Sequence, residues 1–426
     1  MTAIIIILGF VALFIMGFPV AVAIGVPSVL YVLINGFPVE MFFNRYLFAL
    51  DSFTLLALPL FIFVGNLMTT AGITTRIFRF ADIFVGWLPG GLAQVNILAS
   101  LLFAGKSGSA LADVGALGQM QVKAMTEKGF PKPFSAAISV ASATVTPIFP
   151  PSIPYVVFGA VTGTSIVRLF LAGIVPGIAM VALLMIFTAF VGIKRKYPRQ
   201  TRLPTVKEVI ESFLPTIPAL LAPVLLIGGL LLGFFTPTEA ASIVVAYVIM
   251  IGFLFYRDLT LSHIWEAAVT TVKQTGAICI IITVATLFGW VMTIERIPML
   301  FTSAMAPFIN NKILLLVVIN MILVFVGMFL DSNTATLIVI PIMMPTFLAA
   351  GLDPVHIGVM VVFNLMIGLL TPPLGLSVLL ISNVTGVPVG QVFRAVPIFF
   401  VPLLLMLAII TFIPEVTLWI PNLVMN

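Results

Sequence analysis

Two proline pairs sit inside otherwise apolar stretches, each flanked by hydroxyl residues: Thr144-Val145-Thr146-Pro147-Ile148-Phe149-Pro150-Pro151-Ser152 and Gly368-Leu369-Leu370-Thr371-Pro372-Pro373-Leu374-Gly375. Proline has no N–H and displaces the chain from helical geometry, so carbonyls one turn earlier lose their partners. A bound cation is one partner such carbonyls can take. Sodium, a hard ion, prefers oxygen ligands by the logic that governs calcium and magnesium sites. Two other apolar regions are interrupted by residues rich in such oxygens, Gly105-Lys106-Ser107-Gly108-Ser109 and Asp331-Ser332-Asn333-Thr334. Pairing each interruption with a proline break gives two cation sites. The first draws on Ser107, Gly108, Ser109, Thr146, Phe149 and Ser152, the second on Asp331, Asn333, Gly368 and Thr371. A substrate then lies between them, near Ser332, Asn333, Thr334 and the pairs Pro150-Pro151 and Pro372-Pro373. Half-helix N-termini at such a place favour anionic groups. Lys106 is placed to meet a carboxylate, to pair with Asp113, or to snorkel.

Each residue also has a plainer use. A proline pair can serve as a simple kink, and Ser or Thr in a membrane helix ordinarily bonds its own backbone or packs an interface. Asp331 stands apart, because an ionisable residue within a membrane is a functional hypothesis by default. Asp113 reads as a brace for its own segment, and Glu239 as part of a helix cap beginning at Thr236. His263 and His356 lack metal-ligand spacing. A serine-hydrolase reading of Lys106-Ser107-Gly108-Ser109 lacks the Gly-x-Ser-x-Gly elbow and a histidine partner. The chain has no Walker motif, so ATP is not its energy source.

The elements that must position these groups are membrane helices. Of 426 residues, 62% are hydrophobic and 8% charged, against about a quarter charged in an ordinary soluble protein. That composition excludes a soluble globule, which avoids large apolar patches, and also intrinsic disorder. With roughly 20 residues per crossing, the chain reads as a polytopic all-α protein without a soluble domain. About ten crossings are expected, at 1–17, 18–36, 54–72, 134–165, 168–193, 215–235, 237–256, 271–293, 355–385 and 395–420. The interrupted regions 88–128 and 311–350 are expected to be re-entrant hairpins with the polar residues at their tips, because a broken helix facing lipid leaves backbone groups unpaired. The stretches 37–51, 73–87 and 257–270 read as interfacial helices. The lone Cys279 excludes an intrachain disulfide, and Met1-Thr2-Ala3-Ile4, lacking a basic flank, reads as a retained membrane segment. Placed on this topology, Lys and Arg divide fourteen to four, with Lys106 near a tip. The basic side is therefore cytoplasmic and both termini face outward.

The chain also resembles itself. Gly129 and Pro150-Pro151 recur as Gly351 and Pro372-Pro373 at an offset of 222, as do Phe103 and Gly105 in Phe325 and Gly327. Each half holds five crossings and one hairpin, and an odd number inverts the second half. Inverted repeats with discontinuous elements point to a secondary transporter whose site lies near the midplane.

At this point the sequence resembles the large membrane subunit of tripartite ATP-independent periplasmic (TRAP) transporters over nearly its whole length. The resemblance rests on Leu58 to Gly65, Ser107-Gly-Ser-Ala110 with Ala112-Asp113, Ile148 to Ile153, Thr236 to Ala241, Gly327 to Asp331 and Leu370 to Gly375. It implies sodium-coupled import of an organic acid, such as sialic acid or a C4-dicarboxylate, delivered by a periplasmic binding protein. A separate four-helix small membrane subunit is implied as partner, in a bacterial inner membrane, with sodium as the coupling ion and no cofactor. The family's sodium ligands fall here on Ser107, Ser109 and carbonyls near Thr146, and on Gly327, Asp331, Gly368 and Thr371. An elevator-like motion of a hairpin-bearing domain against a scaffold is implied. The first repeat then covers 1–195, with scaffold helices in 1–72 and an arm at 73–87. A basic loop and interfacial helix fill 196–214, and the second repeat covers 215–426, with scaffold in 215–293 and an arm at 294–310. A stand-alone sodium–dicarboxylate symporter of related architecture is the alternative, and an intramembrane hydrolase the remote one.

Overall fold

The computed structural model describes residues 2–51, 53–70, 72–200 and 202–425; the side chains at 2–4, 39, 53, 54, 74 and 105–107 lie outside the described set. Among the described residues all regular structure is helical. The first part runs α1 (Thr2–Ile15), α2 (Val20–Ile34), α3 (Val39–Leu50), α4 (Ala57–Thr70) and α5 (Ile73–Val85). It continues with α6 (Leu92–Ser107), α7 (Ala110–Glu127), α8 (Lys132–Ala143), α9 (Ile153–Thr162) and the long α10 (Ile166–Arg195). The second part opens with α11 (Val206–Leu231), α12 (Pro237–Met250), α13 (Leu261–Ile294) and α14 (Ile297–Ile309). Then come α15 (Lys312–Gly327), α16 (Ser332–Ala349), α17 (Pro354–Gly368) and α18 (Leu376–Thr385). The chain ends in α19 (Val389–Ala395), α20 (Pro397–Phe412) and α21 (Glu415–Val424).

By length and composition five helices can cross a bilayer alone, α10, α11, α13, α16 and α12 taken with the π-helical segment Ile251–Tyr256 that continues it, or up to seven spans if two bent pairs each count once. The other apolar helices are shorter, because breaks divide them. The first proline break separates α8 from α9 over residues 144–152, and the second separates α17 from α18 over 369–375. Both Pro–Pro peptides are cis. Three expectations need correction. Residues 257–270 do not form a helix of their own. Thr260 caps α13, its hydroxyl accepting from His263 N at 3.2 Å, and the helix runs 34 residues without a proline. Similarly, α11 passes through the boundary expected near 215, starting from a Thr205–Glu208 capping box and tolerating Pro215, Pro218 and Pro223 inside it. The expected final crossing is divided, with Pro414 between α20 and α21. The cap read from Thr236 and Glu239 is present, Thr236 N donating to Glu239 Oε2 at 2.8 Å.

Helix lengths recur along the chain. α6 and α15 have 16 residues each, α7 and α16 have 18, and α9 and α18 have 10. Packing is reciprocal as well: α7 lies on α18, and α16 lies on α9. α13 lies against α2, α3, α4 and α16. At the α7–α18 contact the Ile381 side chain fills the space beside Gly118, where a Cβ would lie 2.4 Å from Ile381 Cδ1. α5 is tied down by Arg76, which pairs with Asp258 at 2.7 Å, donates to the Gly72 carbonyl at 3.0 Å and lies 4.2 Å above the Tyr256 ring. Most of the interior is one apolar core. A second, smaller cluster of Leu55, Leu58, Ile62, Ile153, Val157, Ile282, Ala285 and Leu337 joins α4 and α13 to α9 and α16.

Candidate functional site

The first turn of interest follows from one glycine. α6 ends at Ser107, Gly108 takes a left-handed conformation (φ 55°), and Ser109 caps α7 by accepting from Ala112 N at 3.4 Å. A Cβ on Gly108 would lie 2.7 Å from the Pro151 carbonyl oxygen and 2.8 Å from Ile153 N. The tip therefore rests directly on the first proline break. The second half makes a related contact with two glycines, just ahead of its tip and its proline break. A Cβ on Gly368 would lie 2.5 Å from Gly327 Cα, so the end of α15 touches the end of α17 backbone to backbone. Asp331 then caps α16: its Oδ2 accepts from Asn333 N at 3.0 Å and Thr334 N at 3.3 Å, and its Oδ1 from the Thr334 hydroxyl.

Several hydroxyls assigned from sequence have local partners. The Ser152 hydroxyl donates to the Pro147 carbonyl and accepts from Tyr155 N at 3.3 Å, capping α9. Thr371 donates to the Ile367 carbonyl at 2.8 Å. Phe149 packs its ring on Gly177 of α10, leaving its carbonyl as the group a cation can use. Thr146 is fully buried and donates to Asp113 Oδ2 at 3.2 Å, so Asp113 braces α7 against the break. Asp113 is itself 4% exposed. The side chains of Lys106 and Ser107 lie outside the described residues.

Both tips reach one cavity of about 710 Å³. Ser109 and Ala112 line it from the first tip, Asn333 from the second, and Ile153 from the start of α9. The Asn333 side-chain oxygen is buried and has no hydrogen-bond partner among the described residues. Ser332, Thr334 and the two proline pairs, expected beside the substrate, are not among its described walls. Pro150 and Pro151 are buried, whereas Pro372 and Pro373 are exposed. The opposite wall was not assigned from sequence. It consists of Asn66, Thr69 and Thr70 on α4 and Glu266, Thr270 and Gln274 on α13. Asn66 Nδ2 donates to Thr271 Oγ1 at 3.0 Å and to Gln274 Oε1 at 3.1 Å, joining the two helices. Polar residues at i, i+4 and i+8 on α13 are the signal that marks this wall, since that spacing keeps them on one helix face. At its inner end the cavity meets Ile62, Ile153 and Ile278, where the small aliphatic cluster closes the gap between the same helices.

The arrangement offers carbonyls at helix ends, hydroxyls and amides around the cavity, with aliphatic packing at the Ile62, Ile153 and Ile278 end. Such a site can hold a small hard cation and an oxygen-rich solute without forming covalent bonds.

Relatives of the chain are transporter components. The sequence profile described as "Tripartite ATP-independent periplasmic transporter, DctM component" matches residues 7–416. The sialic acid TRAP transporter large permease protein SiaM of Vibrio cholerae is 40% identical over 421 residues, covering 98% of each chain. The C4-dicarboxylate TRAP transporter large permease protein DctM of Pseudomonas aeruginosa is 38% identical over 372 residues, covering 87% of each. Among solved structures, the YdaH transporter of Alcanivorax borkumensis has a similar fold, with TM-score 0.62 over 90% of this chain and 89% of that one at 13% identity.

Proposed function

The chain belongs to the family of the DctM component of tripartite ATP-independent periplasmic transporters, and from that premise we propose that it carries an organic acid inward, coupled to sodium. Its relatives are permeases, which sets the hydrolase alternative aside. In this reading a periplasmic binding protein delivers the solute and a small four-helix membrane subunit completes the complex. A transporter described as tripartite, with a permease called large, is in keeping with both partners. The membrane is the bacterial inner membrane, with both termini on the periplasmic side.

The observation that carries the reading is that each hairpin packs backbone to backbone on the broken helix pair of its own half, at the Pro151–Ile153 break in the first and at the end of α17 in the second, while both tips reach one cavity. Recurring helix lengths and reciprocal packing support two inverted repeats. α6–α9 with α15–α18 form the moving domain, α1–α4 with α11–α13 the scaffold, and α5 and α14 the arms. The first sodium site uses Ser107, Gly108, Ser109 and Thr146, with carbonyl or cap atoms of Phe149 and Ser152. The second uses Gly327, Asp331, Asn333, Gly368 and Thr371. Sodium at these places neutralises helix-end carbonyls and orders the tips, after which a carboxylate is accepted between them. The open cavity follows α4 toward its C-terminus and α13 toward its N-terminus, ends that the charge distribution assigns to the cytoplasm. The aliphatic cluster is the closed outer seam. Alternating access exchanges the two when the hairpin domain slides along the scaffold.

Asn333 gives the first test, because its unpartnered oxygen lines the cavity and no cap depends on its side chain. Asn333→Ala should raise the half-saturating carboxylate concentration about tenfold, the value of one or two lost hydrogen bonds in a desolvated site. Uptake kinetics measured with and without the binding protein would read this. An unchanged half-saturation removes the second tip from the substrate site, and full activity without the binding protein favours the stand-alone symporter.

A further inference from the structure

The cavity has an electrostatic asymmetry at its mouth. Glu266 is exposed on the α13 wall, and among the described lining residues it carries the only charge. Ser262 Oγ, one turn earlier, lies 3.5 Å from Glu266 Oε1. Thr270 and Gln274 continue the same helix face inward, so Glu266 marks the outermost polar step of that wall. Among the described residues Glu266 has no ion-pair partner. Arg76 and Asp258 neutralise each other at 2.7 Å, and the exposed Lys273 is not among the lining residues.

We propose that Glu266 is an electrostatic exit filter, a specificity-determining residue that repels an anionic substrate from the cytoplasmic mouth and attracts sodium there. The function rests on the carboxylate-import reading above. The negative charge raises the energy of an anion anywhere in the open cavity, so affinity from the cytoplasmic face falls and release is favoured without any change in the tips. Affinity seen from the two faces of the membrane then differs, and the difference is set far from the substrate-binding groups.

The mouth potential can be measured without transport. Cys279→Ala removes the native thiol, and Thr270→Cys places a new one on the lining, one turn from Glu266. A unit charge one helical turn away, about 6 Å, changes the rate of a charged reagent about threefold in water. The ratio of modification by a trimethylammonium thiosulfonate to that by a sulfonate reagent should therefore fall about tenfold in Glu266→Gln. It should fall further in Glu266→Lys, return in Glu266→Asp, and lose its dependence on residue 266 at high ionic strength. In vesicles, Glu266→Gln should lower the half-saturating carboxylate concentration at the cytoplasmic face about threefold and leave the periplasmic face unchanged. Equal reagent ratios in all variants, or an equal shift on both faces, would overturn the filter. Absence of sodium-coupled flux in the wild type would instead count against the transport reading, while the reagent ratios still report the charge at the mouth.

Discussion

Gly368→Val is expected to reduce transport to background while the protein still inserts in the membrane. A Cβ at this position lies 2.5 Å from both Cα and C of Gly327 and 2.9 Å from its carbonyl oxygen. All three partners are backbone, so no side chain can swing aside. The tip of the second hairpin must lift from α17, by about 1 Å to restore ordinary contact. Overpacking of this kind costs about 1–3 kcal/mol, and here it falls on the carbonyls assigned to an ion. Gly327→Ala, whose Cβ would meet its neighbours at 3.0–3.2 Å, should cause a smaller loss. Gly228→Ala on α11, with nothing within 4 Å, should behave as wild type. Initial uptake rates in proteoliposomes, with melting temperatures in detergent, distinguish lost function from lost fold. Near-normal uptake by Gly368→Val would mean that the two glycines need not touch during the cycle.

The second large effect concerns Asp331, whose carboxylate is observed in one role and proposed for another. It caps α16 through Asn333 N, Thr334 N and the Thr334 hydroxyl, and it is assigned to the second sodium site. A carboxylate has about four acceptor positions, so three donors leave room for an ion. The duties separate by substitution. Asp331→Asn keeps an acceptor for the cap and removes the charge. Its melting temperature should stay near wild type while half-saturating sodium rises tenfold or more, about 1.4 kcal/mol or above. Asp331→Ala should show the same sodium defect plus about 0.5–2 kcal/mol of lost cap. Normal sodium dependence in Asp331→Asn would reduce the residue to a cap.

Much of this was legible because the decisive features are local. Glycine and capping residues at Gly108-Ser109 and Asp331 mark helix boundaries wherever the helices pack, and proline pairs break helices in any context. The merged α13 was not legible, because residues 257–270 mix charges with apolar residues without a breaker after Thr260. Charge suggested an interface, and continuity of the backbone decided otherwise. The polar wall escaped for a different reason. Asn66 and Gln274 are 208 positions apart, and only the packing of α4 on α13 turns two isolated polar residues into one surface. Nor could spacing reveal that the Ser152 and Thr371 hydroxyls bond nearby carbonyls. Those bonds fix the direction of each hydroxyl and leave it an acceptor lone pair, so they are compatible with the proposed ion sites.

The most direct test of the account is accumulation of a labelled carboxylate in proteoliposomes holding this chain with its small membrane subunit. Uptake is followed with the binding protein outside and an inward sodium gradient. Accumulation above equilibrium is predicted only when the gradient and all three proteins are present, and it should collapse when sodium is equalised. Equal flux without sodium, or from this chain alone, would contradict a sodium-coupled tripartite importer.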